Sequence, residues 1–277
     1  KNYYDTYKVP NNMAIFMSGD IDTEETIALI SDKFAKWQAK PIPEVGPWVE
    51  EPLQGAERQT VQYPGEEQVQ LAFRTAGNGS EDKDALILLD MILDNRTAGL
   101  INLNLNQQQL VAGAGSSPLF LNDAGSQNLY GIPKQDQTLE EVEQLLLDQL
   151  EIIKAGEFED WIILAIINDF KKNEKASLEF NQARVSMMRD SFIQGAEWDY
   201  HVAELDRMSE LTKQDVVNVA NKYFGNDYVA VYRVDGQNEI HDGEKPQIDP
   251  VNIDSPQQSE FAARLWAMAH AQIEPTD

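Results

Sequence analysis

The chain has 277 residues, 42% of them hydrophobic and 9% aromatic, which predicts one large folded domain or two smaller ones and not a disordered chain. With 22 Lys and Arg against 47 Asp and Glu, the formal net charge is -25. Such an acidic surface repels phosphate backbones and anionic lipid headgroups, so neither nucleic acid nor an acidic membrane is an expected partner. Because cysteine is absent, disulfides, thiolate zinc sites and a cysteine nucleophile are excluded.

The sequence shows neither a membrane-spanning segment nor a targeting segment. No apolar run approaches the ~20 residues that a helix needs to cross a bilayer. The chain opens with Lys1 and Asn2 followed by two tyrosines, where a signal peptide would have Met and an apolar stretch. We interpret the chain as an interior piece of a longer polypeptide.

The first 46 residues predict one strand followed by one helix. Residues 13–17 are an apolar run behind a Pro-Asn-Asn turn, as expected of a strand. Asp22 is positioned to cap a helix, with Glu25 three residues further on. The helix carries apolar residues at helical spacing on one face: Ile27, Ile30, Phe34 and Trp37. The prolines and glycine within 41–47 cannot continue the helix and predict a linker.

Residues 47–236 predict a second unit that mixes strands and helices. Alternating apolar and polar residues predict half-buried strands at 59–63 and 69–73, and an apolar stretch at 85–93 predicts a buried helix. Further strands are predicted at 111–121 and 228–234, and further helices after Thr138, at 157–175, at 178–193 and after Thr212. Because helices and strands do not alternate strictly, we predict an α+β fold: a mostly antiparallel sheet with helices packed on one face, plus a partial second unit at 1–46.

The segment 237–277 is predicted to be a linker. It is polar and rich in turn-forming residues up to Pro250, and it ends in an amphipathic stretch at 259–270. That stretch would present Phe261, Leu265 and Trp266 to a neighbouring surface. Packing of the same helix on its own domain is an equal alternative.

No catalytic or metal-binding residue is predicted in the chain. Zinc peptidases commonly place two histidines on one helix, but His201, His241 and His270 are far apart. One imidazole among acidic residues, as at His201, is more often structural. The sequence also contains no Gly-x-Ser-x-Gly nucleophile motif, no dinucleotide-binding glycine motif and no phosphate-binding loop.

Four stretches of the chain resemble the pitrilysin/insulinase-type zinc metallopeptidase family. The passage 7–25, with its Pro-Asn-Asn-Met and Gly-Asp motifs, is similar to the end of the family's zinc-bearing domain, and 69–73, 84–93 and 212–225 are similar to parts of the next domain. In this family, two homologous halves of two α/β domains each close like a clamshell on an unfolded peptide. The resemblance implies a zinc site, built on an inverted His-x-x-Glu-His motif, upstream of Lys1, and no cofactor in this chain.

The resemblance also implies which domain is present. The family's fourth domain supplies a substrate-binding Arg and Tyr, but here Leu105 and Ala112 stand at the matching positions. This difference favours the second domain. The implied organisation is the last strand and helix of the zinc-type domain at 1–46, a complete non-catalytic domain at 47–236, and the linker between halves at 237–277.

The function implied is that of a non-catalytic portion of a zinc metalloendopeptidase, forming part of the wall of the peptide-degrading chamber and inactive alone. The expected partners are the rest of its own polypeptide and unfolded peptides. An exposed hydrophobic area near 13–34 is expected, together with a homodimer of this chain that would cover it. The likeness favours a periplasmic or otherwise extracytoplasmic location. Two alternatives remain: a domain of a catalytically inactive family member that acts as scaffold or partner subunit, and an acidic interaction module.

Overall fold

The computed structural model describes residues 1–44, 46, 50–237 and 259–269, which fall into two compact units, Lys1–Asn238 and Glu239–Asp277. The helices and strands of the first unit are, in chain order, α1 (Asn2–Tyr7), α2 (Thr23–Phe34), β1 (Glu57–Gln62), β2 (Gln68–Thr75), α3 (Lys83–Leu93), β3 (Gly113–Phe120), β4 (Gly125–Ile132), α4 (Leu139–Lys154), α5 (Trp161–Ser177), α6 (Asn181–Gln194), α7 (Trp198–Val202), α8 (Glu204–Glu210), α9 (Lys213–Tyr223) and β5 (Val229–Val234). In the second unit the described residues form α10 (Glu260–Ala269).

The five strands form one sheet in the order β1-β5-β2-β4-β3. The β1–β5 pair is parallel and the other three pairs are antiparallel. Along β2, Val69, Leu71 and Phe73 are buried while Gln70 and Arg74 are exposed, so one face of the sheet carries the core. Helices α3, α4 and α9 pack on the strands from that side. The predicted α+β fold, mostly antiparallel with helices on one face, is confirmed.

Local capping signals begin the helices where the sequence predicts. Asp22 accepts a hydrogen bond from the backbone N–H of Glu25 at the start of α2. At α4, Thr138 and Glu141 form a reciprocal capping box, which satisfies two of the backbone N–H groups that a helix leaves unpaired. Thr212 begins α9 with the same arrangement. The helices predicted at 157–175 and 178–193 are α5 and α6, displaced by a few residues.

Two sequence-based predictions are wrong, and some elements were not predicted at all. Residues 13–17 form no strand, because none of the described residues pairs with them as a neighbouring strand. All six residues of β1 are exposed and not half-buried, because the helices pack on β2, β3 and β4 while β1 lies at the edge. The sequence analysis also missed β4, whose run Gly-Ser-Gln-Asn-Leu-Tyr-Gly-Ile lacks a continuous apolar alternation, and a π-helical turn at Asn102–Asn106.

The contact between β4 and α4 depends on a glycine. A Cβ atom at Gly131 would lie 2.4 Å from Cγ1 of Val142, a fully buried residue of α4, and 3.3 Å from Cδ1 of Leu146. These distances are shorter than van der Waals contact, so only glycine allows the helix to approach the sheet this closely.

We expect Gly131→Ala to lower the free energy of unfolding by about 1–3 kcal/mol, because overpacking forces the helix away from the sheet. Urea denaturation followed by circular dichroism measures the change. Gly79→Ala is the matched control, since a Cβ there meets nothing within 4 Å. Equal stabilities of the two variants would contradict this account of the α4–β4 contact.

Candidate functional site

The described residues contain no group of three or more His, Asp or Glu side chains that could hold a metal ion. His201 lies on α7, with its ring 6.0 Å from the ring of Trp198. Glu204, which lines the same cavity, already pairs with Lys83 at 3.3 Å. His241 and His270 lie outside the described residues. Among the described residues, no set of side chains is therefore arranged to hold a metal ion.

The stretch matching the family's substrate-binding Arg and Tyr plays a structural part in this chain. Leu105 is 1% exposed and belongs to the hydrophobic core. Ala112 precedes β3, and its backbone N–H donates to the carbonyl of Ile132. This stretch therefore presents no charged or phenolic group to a substrate.

The outer edge of β3 is occupied by side chains of its own domain. Asn106 donates to the carbonyl of Ala114 and accepts from its N–H, both at 2.9 Å. Asp94 accepts from the N–H of Ser116 at 3.1 Å. Two residues further along the same edge, Pro118 has no N–H to offer. An incoming strand thus finds the hydrogen-bonding groups of this edge largely taken.

A hydrophobic groove runs between α5, α6, α7 and α8. It consists of two cavities of about 470 and 450 Å³ that adjoin at Glu174 and Met187. Met17 and Trp198 line one cavity, and Leu205 lines the other. The groove can hold apolar groups, and its polar lining residues include His201, Glu174 and Glu204, of which Glu204 is already paired with Lys83.

The N-terminal segment carries the exposed hydrophobic area that the sequence predicts. None of the α2 residues is buried. The exposed apolar side chains of the segment are Met13, Ile15, Met17, Ile21, Ile27, Leu29, Phe34 and Trp37. The segment touches α6 through the rings of Phe16 and Phe192, 5.7 Å apart, and through Ser18, whose hydroxyl donates to Asn181 at 3.2 Å.

A buried carboxylate, Glu143 of α4, joins the two strands at one edge of the sheet. Its side chain is 4% exposed and accepts two hydrogen bonds from Arg58 of β1, at 2.7 and 3.3 Å. The hydroxyl of Tyr228 donates to it at 2.6 Å, and Tyr232 of β5 donates as well. Burial by itself would raise the pKa of Glu143, but these hydrogen bonds lower it below its ordinary value of 4.5.

The Glu143 site also perturbs its phenols. Burial and the hydrogen bond to Glu143 raise the pKa of Tyr228 and that of Tyr232 to about 12. Both phenols are therefore held as proton donors at neutral pH. The sequence offered no signal for this site, because Arg58, Tyr228 and Tyr232 each lie 85 or more residues from Glu143.

A second buried carboxylate, Asp90 of α3, lies at the other side of the core and is 2% exposed. It accepts hydrogen bonds from the hydroxyl of Ser116 at 2.7 Å and from the amide of Gln127 at 2.6 Å. Burial raises the pKa of Asp90 above its ordinary value of 3.8, the two hydrogen bonds oppose this, and nearby Asp94 adds to the rise. The Gln127 Oε1 atom is buried without a partner.

A family model now identifies the chain. The model described as "Peptidase M16 inactive domain" matches residues 1–170. The chain belongs to this family. It carries the family's inactive peptidase domain, in agreement with the likeness deduced from the motifs at 7–25 and 84–93. The comparison with curated proteins finds no match.

Solved structures share the fold of this M16 family member at low sequence identity. A protease from Helicobacter pylori is 22% identical with a TM-score of 0.72, and the match covers 78% of this chain and 54% of that one. The first half of the periplasmic protease PqqL from Escherichia coli is 15% identical with a TM-score of 0.67, and the match covers 84% of this chain and 53% of that one. A peptidase M16 inactive domain from Pseudomonas fluorescens is 16% identical with a TM-score of 0.64, and the match covers 79% of this chain and 52% of that one. The chain thus spans about half the length of these relatives.

The residues predicted to make linker contacts lie on α10. Phe261 is 75% exposed, Leu265 is 56% exposed and Trp266 is 59% exposed. Contact of these three side chains with a neighbouring surface stays a prediction. None of the described helices is long and apolar enough to cross a membrane.

We expect Glu143→Ala to lower the free energy of unfolding at pH 7 by about 3–5 kcal/mol, because it leaves Arg58 and two phenols without their shared acceptor. Because the folded-state pKa of Glu143 is lowered, its contribution is present above pH 4.5 and is lost as the pH falls through the lowered value. Urea unfolding at pH 7 and at pH 3 measures both effects. Glu140→Ala, at an exposed position on the same helix, is the control. If Glu143→Ala lowered the free energy of unfolding by less than about 1 kcal/mol, the role of Glu143 as a stabilising buried acceptor would be contradicted.

Asp90→Asn should have the opposite pH signature. Because the folded-state pKa of Asp90 is raised, its contribution to stability is complete below pH 3.8 and falls as the pH rises through the raised value. Asp90→Asn removes this ionisation, so its stability relative to the wild type should increase between pH 4 and pH 7. Thermal unfolding across this range provides the measurement. Asp123→Asn, in an exposed loop, should follow the wild type; a constant offset between Asp90→Asn and the wild type would refute the prediction.

Proposed function

We propose that the chain is a non-catalytic portion of a zinc-dependent metalloendopeptidase and forms part of the wall of a clamshell chamber that encloses unfolded peptides. The observation that carries the proposal is the family match over residues 1–170 to an inactive peptidase domain. The likeness in fold to the first half of the periplasmic protease PqqL supports it. Zinc would be bound by another domain of the parent polypeptide.

The exposed apolar surface of the N-terminal segment supports a partner within the same polypeptide. Met13, Ile27 and Leu29 are each about half exposed or more, and they belong to a contiguous stretch of such residues. Monomeric soluble proteins rarely leave apolar patches of this kind uncovered. In this proposal, residues 1–46 complete a zinc-type domain, 47–236 are the inactive domain, and 237–277 link to a second half, with Phe261, Leu265 and Trp266 contacting it.

The proposal includes a location outside the cytoplasm. The relative PqqL is a periplasmic protease. A net charge of -25 suits a protein that must stay soluble while part of its apolar surface is available to a partner. Fractionation of cells that produce the parent protein, followed by immunodetection, tests this location.

We expect the purified chain alone to cleave no fluorescein-labelled unfolded casein, because a zinc-bound water and its general base are required for hydrolysis in this family. Mixed with the separately produced remainder of the parent, which in this proposal supplies the zinc-type domain and the second half, it should elute as a complex in size-exclusion chromatography and cleave casein until a chelator is added. Cleavage by the chain alone that a chelator abolishes would contradict the proposal.

A matched pair of variants tests which surface forms the complex. Leu29 of α2 and Leu121 after β3 are both 59% exposed, but only Leu29 lies in the apolar N-terminal segment. Leu29→Asp should weaken the complex by about tenfold or more, since a charge would be buried against apolar side chains, and Leu121→Asp should leave it unchanged. A complex that forms but never cleaves casein would favour the scaffold alternative instead.

A further inference from the structure

The two edges of the sheet differ in whether their outward backbone groups are hydrogen-bonded. The edge at β3 is occupied by Asn106 and Asp94, as described above. At the other edge, β1 uses only one side of its backbone: the N–H of Glu57 donates to Tyr228 and the N–H of Tyr63 donates to Val234, both towards β5. Successive peptide groups of a strand point to alternate sides, so half of the β1 peptide groups point outwards.

The outward groups belong to Arg58, Thr60 and Gln62. Their backbone N–H and carbonyl groups have no hydrogen-bond partner among the described residues. All six side chains of β1 are exposed, so no other element of the described structure covers this edge. Unpaired peptide groups on a straight, accessible edge form a template for one more strand, and most proteins block such a template. Among the described residues, this domain does so at β3 and leaves β1 open.

The open strand is rigidly held. It pairs with β5 over six consecutive residues, from Glu57 opposite Val229 to Gln62 opposite Val234. The Arg58 side chain anchors it to the buried carboxylate of Glu143. An added strand therefore meets a preformed row of donors and acceptors and does not have to order β1 itself.

The charges around β1 indicate what kind of strand would be accepted. Glu57 lies on the strand, and exposed Glu140 of α4 is close enough to the Glu143 site to raise the pKa of Tyr232; neither forms an ion pair among the described residues. The one cation of β1, Arg58, is already paired with Glu143. A second copy of the chain is disfavoured, because each copy carries a formal charge of -25 and β1 offers Val61 as its single apolar side chain.

We propose that the outer edge of β1 is a strand-addition site that binds an extended, positively charged polypeptide segment. Main-chain hydrogen bonds to Arg58, Thr60 and Gln62 supply the affinity, and Glu57 and Glu140 favour Lys or Arg side chains on the incoming strand. The site goes beyond the proposed function, because it requires neither zinc nor the rest of the chamber.

The probe is a fluorescein-labelled synthetic peptide, Lys-Thr-Val-Thr-Val-Thr-Lys, added to the full chain. Fluorescence anisotropy should show saturable binding that weakens as salt is added. Hydrogen–deuterium exchange resolved by NMR should show new protection at the amides of Arg58, Thr60 and Gln62, whereas those of Gln59 and Val61 are protected by β5 from the start. Binding without protection at the three outward amides would overturn the proposal, whatever the affinity.

Two variants at one position separate backbone pairing from side-chain effects. Thr60→Pro removes one outward N–H, as Pro118 does naturally on β3, and should weaken binding by about tenfold. Thr60→Val keeps the N–H and should bind within about twofold of the wild type. Equal binding by both variants would contradict the proposal, as would equal binding of Lys-Pro-Thr-Pro-Val-Pro-Lys, which has the same charges but cannot form a ladder.

The exchange experiment on the wild type keeps the test decisive if Thr60→Pro does not fold. Sedimentation velocity without peptide tests whether a second copy of the chain occupies β1. Any dimer should form through the apolar N-terminal segment and leave the amides of Arg58, Thr60 and Gln62 unprotected; a dimer in which these amides are protected would show that a second copy occupies β1 and would overturn the assignment of a cationic partner.

Discussion

Glu143 connects three elements that the chain places far apart. Its carboxylate on α4 accepts hydrogen bonds from Arg58 of β1 and Tyr232 of β5. Parallel strands cannot be joined by a tight turn, so nearly the whole domain forms the crossover between these two. Because β1 buries none of its side chains, the ladder to β5 and the contact with Glu143 are what hold it on the sheet. The integrity of the domain and the availability of its open edge thus depend on one buried carboxylate.

The domain retains a peptidase-family fold in which polar groups serve structure. Leu105 belongs to the hydrophobic core, and Asn106 and Asp94 bind backbone groups at the outer edge of β3. The buried carboxylates Glu143 and Asp90 are perturbed in opposite directions, one by abundant donors and one by burial. Each is hydrogen-bonded within its own domain. The chemical interest of this chain lies on its surfaces.

The surfaces also explain why the N-terminal prediction succeeded only in part. Residues 13–17 have the composition of a strand, and α2 has the apolar stripe of a packed helix, but no residue of α2 is buried. A strand exists only where another strand lies beside it, and an apolar stripe is buried only where a surface meets it. In the proposed function, the apolar pattern of residues 13–37 meets another part of the parent polypeptide.

Features that depend on neighbours within a few residues were readable from the sequence: the caps at Thr138 and Thr212, the buried α3, and the alternation of β2. Their hydrogen bonds and side-chain periodicity are local, so composition and spacing suffice. The family motifs added the fold class. The position of β4, the Glu143 site and the difference between the two sheet edges were not readable. Each depends on residues that meet only after the chain folds, such as Arg58 and Glu143, 85 positions apart. Long-range proximity is decided by packing of the whole core, and no local pattern encodes it.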